Sequence, residues 1–486
     1  MYLGIDLGTG SLKCLLLDSD GRTVAESSAV YRSDTTGGDI TAPGHGEIPV
    51  ERWRRGLLEA MNGLPAQERQ AVCAIGLSGQ MHGLVMVDAS GMALRPALLW
   101  TDQRAASLRQ HLPAAGCGNP FAPGMAGPML SWLVQHEADT VTGARWALQP
   151  KDWLGFLLTG EAASDPSDAS ATLLSNSYGA WDLGAAQRLG VDPGCLAPLR
   201  SACEMRGSLR AEMAAELGLP SGVPVALGAG DTAAAIVGSG LTREGDAQLT
   251  TGTGAQLIVL RDSLPPASAV LNRYRSAYRA PLPVWYAMAA MQNAGVALEW
   301  ARGILGFSWE AAYEQAFAAS LRETGVLFLP YLTGERSPWM NSAVRGGWVG
   351  LSPDDDRASM MRAAFRGVAL GLRAGLTALV DGGIQVEHLK LAGGGSVHPA
   401  WRQLLANTLG CPLAVLQQAN ASARGAALLG GIAEGHWREA DVKTLALPTE
   451  ALFEPREHDA NAATVEYHRF LALYERLNPI SSCRVT

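Results

Sequence analysis

Two aspartates stand where an apolar run gives way to glycines. Asp6 comes two residues before the glycine turn 8–10, and Asp231 directly follows the glycine-containing stretch 228–230. Glycines let a ligand approach the backbone closely. A carboxylate beside such a stretch can hold a divalent cation or accept a proton from a bound substrate. The spacing therefore makes both aspartates candidates for a catalytic site.

The first glycine turn has a second copy. GTGSLKCLLLD at 8–18 is matched by GTGAQLIVLRD at 252–262, each with Gly-Thr-Gly, an apolar run and a final Asp. Backbone N–H groups in such a turn form a concavity that binds anions. One turn alone is an ordinary hairpin. Two copies about half a chain apart indicate two duplicated halves that hold a polyphosphate from both sides of a cleft.

The two copies differ at one position that matters for chemistry. Asp6 precedes the first turn, whereas Thr250 holds the equivalent place before the second. A carboxylate beside a phosphate repels it unless a cation intervenes, and Mg²⁺ uses one or two carboxylates together with phosphates and water. Asp6 is thus a candidate Mg²⁺ ligand. Lys13 either adds positive charge near a phosphate or is an exposed strand residue.

Asp231 begins a predicted helix, and two roles suit it. Aspartate is a common N-cap. It can also be a general base that points into the cleft, where a helix N-terminus attracts anions. The two roles are compatible.

The elements that must position these residues alternate between strand and helix. Strands are predicted at 1–7, 12–17, 71–77, 223–227, 248–251 and 386–391, and helices at 51–62, 358–380, 399–409 and 461–477. The polar stretch 161–172 is predicted to be a loop. This alternation predicts an α/β fold of two duplicated halves with a cleft between them and a boundary near 241–246.

Composition narrows the functional classes. A chain of 486 residues exceeds a single core, and its net charge of −8 argues against nucleic acid or an anionic membrane as a partner. No uncharged apolar stretch of about 18 residues predicts a transmembrane helix. Seven scattered cysteines and the absence of a leader pattern predict a cytoplasmic protein. The oligomeric state is not fixed, and a homodimer is one candidate.

Several motifs together resemble a known family. Seven stretches occur in the order found in the FGGY carbohydrate kinases, most of all in the xylulokinase branch: GIDLGTGSLKCLLLD, GLSGQMHGLVMVD, LRPALLWTDQR, LQPKDWLGFLLTGEAASDPSDAS, GAGDTAAAIVGSG, LPYLTGERSPW and LAGGGSVHPAWRQLLANTLGCPL. The resemblance implies a duplicated actin-like (ribonuclease H-like) ATPase fold, with domains at 1–242 and 243–486 flanking a catalytic cleft. It also implies transfer of the γ-phosphoryl group of MgATP to the 5-hydroxyl of D-xylulose.

The resemblance also implies roles for individual residues. Asp231 would be the catalytic base, and Asp6 would position Mg²⁺. The residues implied to contact the sugar are Gln80, Met81, His82, Asp231 and Thr232. Those implied to face the phosphates are Thr9, Gly10, Ser11 and Lys13 in the first hairpin and Gly252 and Thr253 in the second. Gly295, Gly394 and Gly395 would line the base and ribose of ATP.

Some residues depart from the family pattern and keep other substrates open. Thr232 stands where xylulokinases usually carry Asn, and TTGTGA replaces the usual LGTSG. Met81-His82 stands where glycerol kinases carry Arg-Glu, which favours a pentulose over glycerol. The alternatives are a kinase for ribulose, glycerol or gluconate and, from another class, an actin-like ATPase switch.

Overall fold

A computed structural model of the protein describes residues 1–31, 44–110, 118–320, 324–417 and 420–481. The strands are β1 (Tyr2–Leu7), β2 (Ser11–Leu17), β3 (Thr23–Val30), β4 (Glu47–Ile48), β5 (Ala74–Gly79), β6 (Val85–Val87), β7 (Ala97–Leu98), β8 (Trp146–Leu148), β9 (Met205–Ser208), β10 (Pro224–Ala226), β11 (Ala229–Gly230), β12 (Ala247–Thr251), β13 (Ala255–Arg261), β14 (Asn272–Arg275), β15 (Trp285–Met291), β16 (Leu327–Leu329), β17 (Gly347–Val349), β18 (Leu389–Ala392), β19 (Leu413–Leu416) and β20 (Thr449–Phe453). The helices are α1 (Val50–Asn62), α2 (Ala66–Gln70), α3 (Ala126–His136), α4 (Ala138–Gly143), α5 (Pro150–Thr159), α6 (Pro166–Ala169), α7 (Leu183–Arg188), α8 (Ala211–Leu217), α9 (Asp231–Gly238), α10 (Gly295–Leu305), α11 (Trp309–Ala316), α12 (Arg357–Asp381), α13 (Pro399–Leu409), α14 (Ala421–Glu434) and α15 (Glu457–Ser481).

Two large mixed sheets repeat one topology. The first has the order β3-β2-β1-β5-β10-β9, with β11 also paired to β5, and the second has the order β14-β15-β13-β12-β18-β19-β20. In each sheet an antiparallel hairpin, β1–β2 or β12–β13, is followed by two parallel neighbours. Each hairpin closes on one of the two Gly-Thr-Gly turns. The predicted duplicated α/β fold is confirmed.

The stretch 161–172 is a loop, as predicted, except for one short helix, and most of it is buried. Residues Pro166–Ala169 form the short helix α6, whose N-cap Asp165 accepts a hydrogen bond from the Ser167 N–H. Ser164, Asp165, Ser167, Asp168, Ser170 and Thr172 are all buried. The predicted loop is thus interrupted by a helix, and its burial was not predicted; inside the fold the hydroxyls of Ser167, Ser170 and Thr172 donate to Asp165 Oδ2 and to the carbonyl oxygens of Ser167 and Ala169.

Helix α12 is the main helix of the second core. By length and composition it is apolar enough to span a membrane, but 72% of its most apolar window is buried inside the fold. It packs against β15, β16 and α13. Among the described residues, Cys14, Cys73, Cys195, Cys203 and Cys411 are unpaired, and Cys117 and Cys483 lie outside the described residues.

Helices α9 and α14 join the two halves. Helix α14 comes from the C-terminal part of the chain but packs against β1, β5 and α9 of the first half. Its buried apolar face shares one cluster with residues of both sheets, including Tyr2 and Leu15 from the first sheet and Ile258 and Met288 from the second. The two halves are therefore held by a shared core rather than by a linker alone.

Glycines allow the backbone of α14 to contact the backbones of α9 and β5 directly. A Cβ on Gly425 of α14 would lie 1.8 Å from the Ala234 carbonyl oxygen of α9, and a Cβ on Gly76 of β5 would lie 1.7 Å from the Ala426 carbonyl oxygen. Such distances are far inside van der Waals contact. These glycines are required by the close approach of the backbones.

We expect Gly425→Ala to lower the free energy of unfolding by ~1–3 kcal/mol, because helix α14 must move away from α9 to make room for the methyl group. Thermal unfolding measures the effect. Gly303→Ala is the matched control, since that glycine lies in α10 with no neighbouring atom within 4 Å of the added Cβ. The control should be neutral or slightly stabilising. Equal melting temperatures for the two variants would contradict the close packing.

Candidate active site

Asp6 lies on β1, and its side chain is buried. Its cross-strand neighbours are Lys13 on β2 and Ser78 on β5. The Ser78 hydroxyl donates a hydrogen bond to Asp6 Oδ1 at 2.9 Å. Burial raises the pKa of Asp6, while Lys13 and the Ser78 hydrogen bond lower it in part. The structure thus places Lys13 beside the carboxylate, half-buried rather than fully exposed.

The first glycine turn is tied to the sequence implied to bind sugar. The turn closes through the Gly8 N–H, which donates to the Ser11 carbonyl oxygen at 3.0 Å. Trp100 Nε1 donates to Thr9 Oγ1 at 2.9 Å, and Thr9 Oγ1 donates to Gln80 Oε1 at 3.1 Å. Thr9 and Gly10 remain exposed. The tip of the turn is therefore accessible to a ligand, while hydrogen bonds hold the turn itself in place.

Asp231 is the first residue of α9, and Gly230 holds the N-cap position. The Asp231 carboxylate accepts hydrogen bonds from the Thr232 N–H at 2.6 Å and from the Thr232 hydroxyl at 3.1 Å. It is half-buried at the helix start. Burial and the nearby charge of Asp6 raise the pKa of Asp231 to about 7. That value suits a general base, which works best when its pKa lies near the operating pH.

His82 occupies a strained position at the end of the sugar-side stretch. Its φ of 73° lies in the left-handed region, which a non-glycine residue adopts at a cost. His82 Nδ1 lies 2.8 Å from the Ala171 carbonyl oxygen. Burial and the charge of Arg336 lower the pKa of His82 to about 4, so the ring is neutral near pH 7. A carbonyl oxygen only accepts, so Nδ1 carries the hydrogen and Nε2 is the acceptor.

Met81 packs between the two halves of the site. The Tyr286 hydroxyl lies 3.8 Å from the Met81 sulfur. A Cβ on Gly230 would lie 2.9 Å from Met81 Cγ, so the side chain fills the space beside the start of α9. Gln80 and Met81 are both buried. Sugar-side residues and the helix of the candidate base are thus in direct contact.

A cluster of buried charged side chains lies in and next to the loop 161–172, which contacts His82 and Gly230. It consists of Lys151, Asp152, Asp165, Asp168 and Arg206. Lys151 Nζ lies 2.5 Å from Asp152 Oδ1 and 3.2 Å from Asp165 Oδ1, and Arg206 Nη2 lies 2.9 Å from Asp152 Oδ1. Burial raises the pKa of Asp168 well above its usual value. The sequence did not reveal the cluster because no local pattern shows that the charges of α5 and of the loop 161–172 meet Arg206 inside the fold.

The loop above this cluster holds two site residues at once. Ser167 Oγ accepts a hydrogen bond from the Gly230 N–H at 3.1 Å, next to Asp231. Ala171, in the same loop, provides the carbonyl oxygen that binds His82. The buried stretch 161–172 therefore positions the candidate base and the candidate sugar contact together.

The second glycine turn lies where two further glycine segments meet it. The Gly295 N–H, at the start of α10, donates to the Gly252 carbonyl oxygen at 3.0 Å. The Gly395 N–H donates to the Thr251 carbonyl oxygen at 3.1 Å. Gly394 precedes it in the turn between β18 and α13. The structure brings the glycines implied to bind nucleotide to one end of the second sheet.

An open cavity of about 500 Å³ lies between the halves. Of the predicted residues, Asp231, Thr232, Gly252 and Thr253 line it. Thr9 is hydrogen-bonded to the lining residue Trp100, and the charges of Asp6 and Arg336 act on Asp231 and His82 respectively. Gly395 donates to the carbonyl oxygen of Thr251, next to the lining residue Gly252. Lining residues that the sequence did not single out are Trp100, Gln256, Arg336 and Ser422. Trp100 and Arg336 occur inside two of the family-like motifs, and Gln256 occurs inside the second glycine-turn repeat, but the comparison of the two repeats gave Gln256 no role.

Comparison with known proteins identifies the family. The model of the N-terminal domain of the FGGY family of carbohydrate kinases matches residues 1–238, and that of the C-terminal domain matches 247–434. The chain belongs to the FGGY family of carbohydrate kinases. The predicted resemblance is confirmed, and the protein is a carbohydrate kinase with a sugar and ATP as substrates.

The FGGY relatives match the chain over almost its whole length. It is 33% identical to the xylulose kinase of Escherichia coli (strain K12), over 99% of this chain and 100% of the relative. A solved structure of a xyloylose kinase from Brucella ovis is 34% identical, with a TM-score of 0.89 and 99% of each chain covered. A gluconate kinase from Lactobacillus acidophilus, 22% identical with a TM-score of 0.88 and covering 98% of this chain and 97% of its own, shares the fold.

The described residues of this FGGY kinase fit a cation held mainly by substrate. They contain no group of three or more His, Cys, Asp or Glu side chains arranged to hold a metal ion. Asp6 and Asp231 are like charges close enough that Asp6 raises the pKa of Asp231. A site of this kind suits Mg²⁺, which keeps several waters and takes its other ligands from phosphates.

We expect Asp231→Asn to lower kcat at least ~10²-fold, because the amide cannot accept the hydroxyl proton. For the wild-type enzyme, kcat/KM should fall as the pH drops below about 7, because the Asp231 carboxyl is then protonated. Steady-state kinetics across pH measure both effects.

The stability of the same variant gives an independent check. The folded pKa of Asp231 exceeds its unfolded value, so the carboxyl favours folding at low pH, and that contribution is lost as the pH rises through about 7. Asp231→Asn should therefore gain melting temperature over wild type more at pH 8.5 than at pH 5. A variant that melts lower but keeps its turnover per folded molecule would reduce Asp231 to a helix-start residue.

Proposed function

We propose that this FGGY kinase transfers the γ-phosphoryl group of ATP to the 5-hydroxyl of D-xylulose. The observation that carries the proposal is the match, at 33% identity over nearly the full length, to a relative named xylulose kinase, together with the Met81-His82 pair beside the candidate base. A neutral His82 with Nε2 as acceptor suits a sugar hydroxyl. Met81 adds apolar surface that suits the carbon chain of a pentulose.

Asp231 is the proposed base of the reaction. Its carboxylate accepts the proton of the attacking hydroxyl as the oxygen forms a bond to the γ-phosphorus and the bond to the β-phosphate oxygen breaks. Its position at the start of α9 adds the partial positive charge of the helix N-terminus to an anionic site. Phosphoryl transfer depends mainly on such positioning and on charge neutralisation.

The two glycine turns are the proposed phosphate sites. Thr9, Gly10, Ser11 and Lys13 form the first, and Gly252 and Thr253 form the second, while Gly295, Gly394 and Gly395 are proposed to contact the nucleoside. Asp6 is the proposed residue that holds hydrated Mg²⁺, which neutralises phosphate charge when it is bound. Lys13 beside Asp6 adds further positive charge.

The remaining assignments follow the same reasoning. We propose domains at 1–242 and 243–486, since each range holds one of the two large sheets. The net charge of −8 favours small-molecule substrates over nucleic acid or an anionic membrane, and the unpaired described cysteines fit the cytoplasm. The second candidate substrate is another ketose such as ribulose, because Thr232 replaces the amide of the usual Asn.

A substrate panel tests the proposal. ADP release with MgATP should give the highest kcat/KM with D-xylulose, a lower value with D-ribulose, and poor values with glycerol and gluconate. A preference for ribulose would overturn the xylulose assignment and keep the sugar-kinase assignment. ATP hydrolysis that no sugar stimulates would favour the ATPase-switch alternative.

A metal titration tests Asp6. Asp6→Asn keeps the shape of the side chain and the Ser78 contact but removes the negative charge. We expect kcat to fall about 10-fold or more and the Mg²⁺ concentration for half-maximal activity to rise, because the cation loses its protein ligand. Asp381→Asn, on an exposed residue at the end of α12, is the control. A titration curve that matches wild type would remove Asp6 from the metal site.

A further inference from the structure

The residue after the proposed base has an unusual set of contacts. Thr232 Oγ1 lies 3.1 Å from Asp231 Oδ1 and also 3.1 Å from Gln256 Oε1. A hydroxyl carries one hydrogen, so it cannot donate to both oxygens. One of the two contacts must therefore run in the opposite direction.

Rotating the Gln256 amide by 180° resolves the conflict without changing its shape. Gln256 Nε2 then donates to Thr232 Oγ1, and Thr232 Oγ1 donates to the Asp231 carboxylate. The Thr232 hydroxyl then has one donor and one acceptor, and the chain of donors ends on the Asp231 carboxylate. A hydrogen bond to a charged acceptor is about twice as strong as a neutral one.

Gln256 reaches this position from the opposite side of the cleft. It lies on β13, two residues after the second glycine turn, and is paired across the hairpin with Thr250. Asp231 and Thr232 lie on α9, which follows the first sheet. All of these residues line the same cavity of about 500 Å³. The link therefore connects the second phosphate hairpin with the start of the helix that carries the base.

Resting on the proposed function, we propose that Gln256 is a positioning residue for the sugar-kinase reaction. Through Thr232 it orients the Asp231 carboxylate, and it brings into the sugar site the amide that Thr232 lacks. The base is then correctly oriented only when the second hairpin is in place. Its orientation is thereby linked to the hairpin proposed to bind ATP.

Kinetics of Gln256→Leu test the inference. The leucine side chain has similar size and no donor. With MgATP and the best sugar of the panel, kcat should fall about 5- to 100-fold, the range for leaving a buried polar group, here the Thr232 hydroxyl, without its hydrogen-bond partner. The KM for the sugar should rise, and the KM for ATP should stay within about twofold, because the backbone of the glycine turn is unchanged. Gln256→Glu removes the donor and adds a negative charge near Asp231, so it should lose more activity than Gln256→Leu.

A second substitution separates positioning from packing. Combining Gln256→Leu with Thr232→Asn places an amide directly after Asp231 and should recover much of the lost kcat. The matched control is Gln70→Leu, on an exposed residue of α2 whose amide binds the Gly218 carbonyl oxygen. It should leave the kinetics unchanged.

The possible outcomes distinguish this inference from the proposed function. A wild-type protein that phosphorylates no sugar overturns both. An active wild type whose Gln256→Leu variant keeps its kcat and its KM for sugar overturns the inference alone. A lower melting temperature with unchanged turnover per folded molecule overturns it as well, because Gln256 would then act only in packing.

Discussion

The contact between α9 and α14 is the interaction on which the site depends. Helix α9 begins with Asp231, and α14 crosses it where Gly425 meets the Ala234 carbonyl oxygen. On its other side α14 lies on β1 and β5, close to Gly76. The Ser422 hydroxyl of α14 also donates to the Asp231 carbonyl oxygen at 3.1 Å. Helix α14 thus fixes the position of Asp231 with respect to the first sheet. Because α14 belongs to the second half of the chain, it also links Asp231 to that half.

Charged side chains also determine the properties of this cleft. Burial and, to a smaller extent, the charge of Asp6 raise the pKa of Asp231, so the proximity of the two carboxylates favours the protonated form of the candidate base. Behind them Lys151 and Arg206 pair with Asp152 and Asp165, while Asp168 accepts a hydrogen bond from Gln149 outside the cluster. Buried ion pairs contribute little net stability but become costly when one partner is missing. Their role here is to hold Ser167 and Ala171 in place.

The parts of the fold that follow from local patterns were predictable from the sequence. Each of these patterns spans only a few residues: the glycine turns, the apolar runs and the position of Asp231 at a helix start. Together they predicted the duplicated fold and the main candidate residues. The loop at 161–172 was predicted, but its helix α6 and its burial were not, because composition does not reveal which polar side chains find partners inside the fold. The α9–α14 contact and the Thr232–Gln256 contact join residues far apart in sequence, and no local pattern encodes them.

The late position of α14 has a consequence for synthesis. Strand β1 starts at Tyr2, yet the helix that covers it and β5 spans Ala421–Glu434, more than four hundred residues later. Until that segment leaves the ribosome, one face of the first sheet, with Tyr2, Leu15 and Leu17, lacks its apolar cover. Incomplete chains with exposed apolar faces and slow long-range contacts are prone to aggregation. The nascent chain should therefore need protection by chaperones through most of translation.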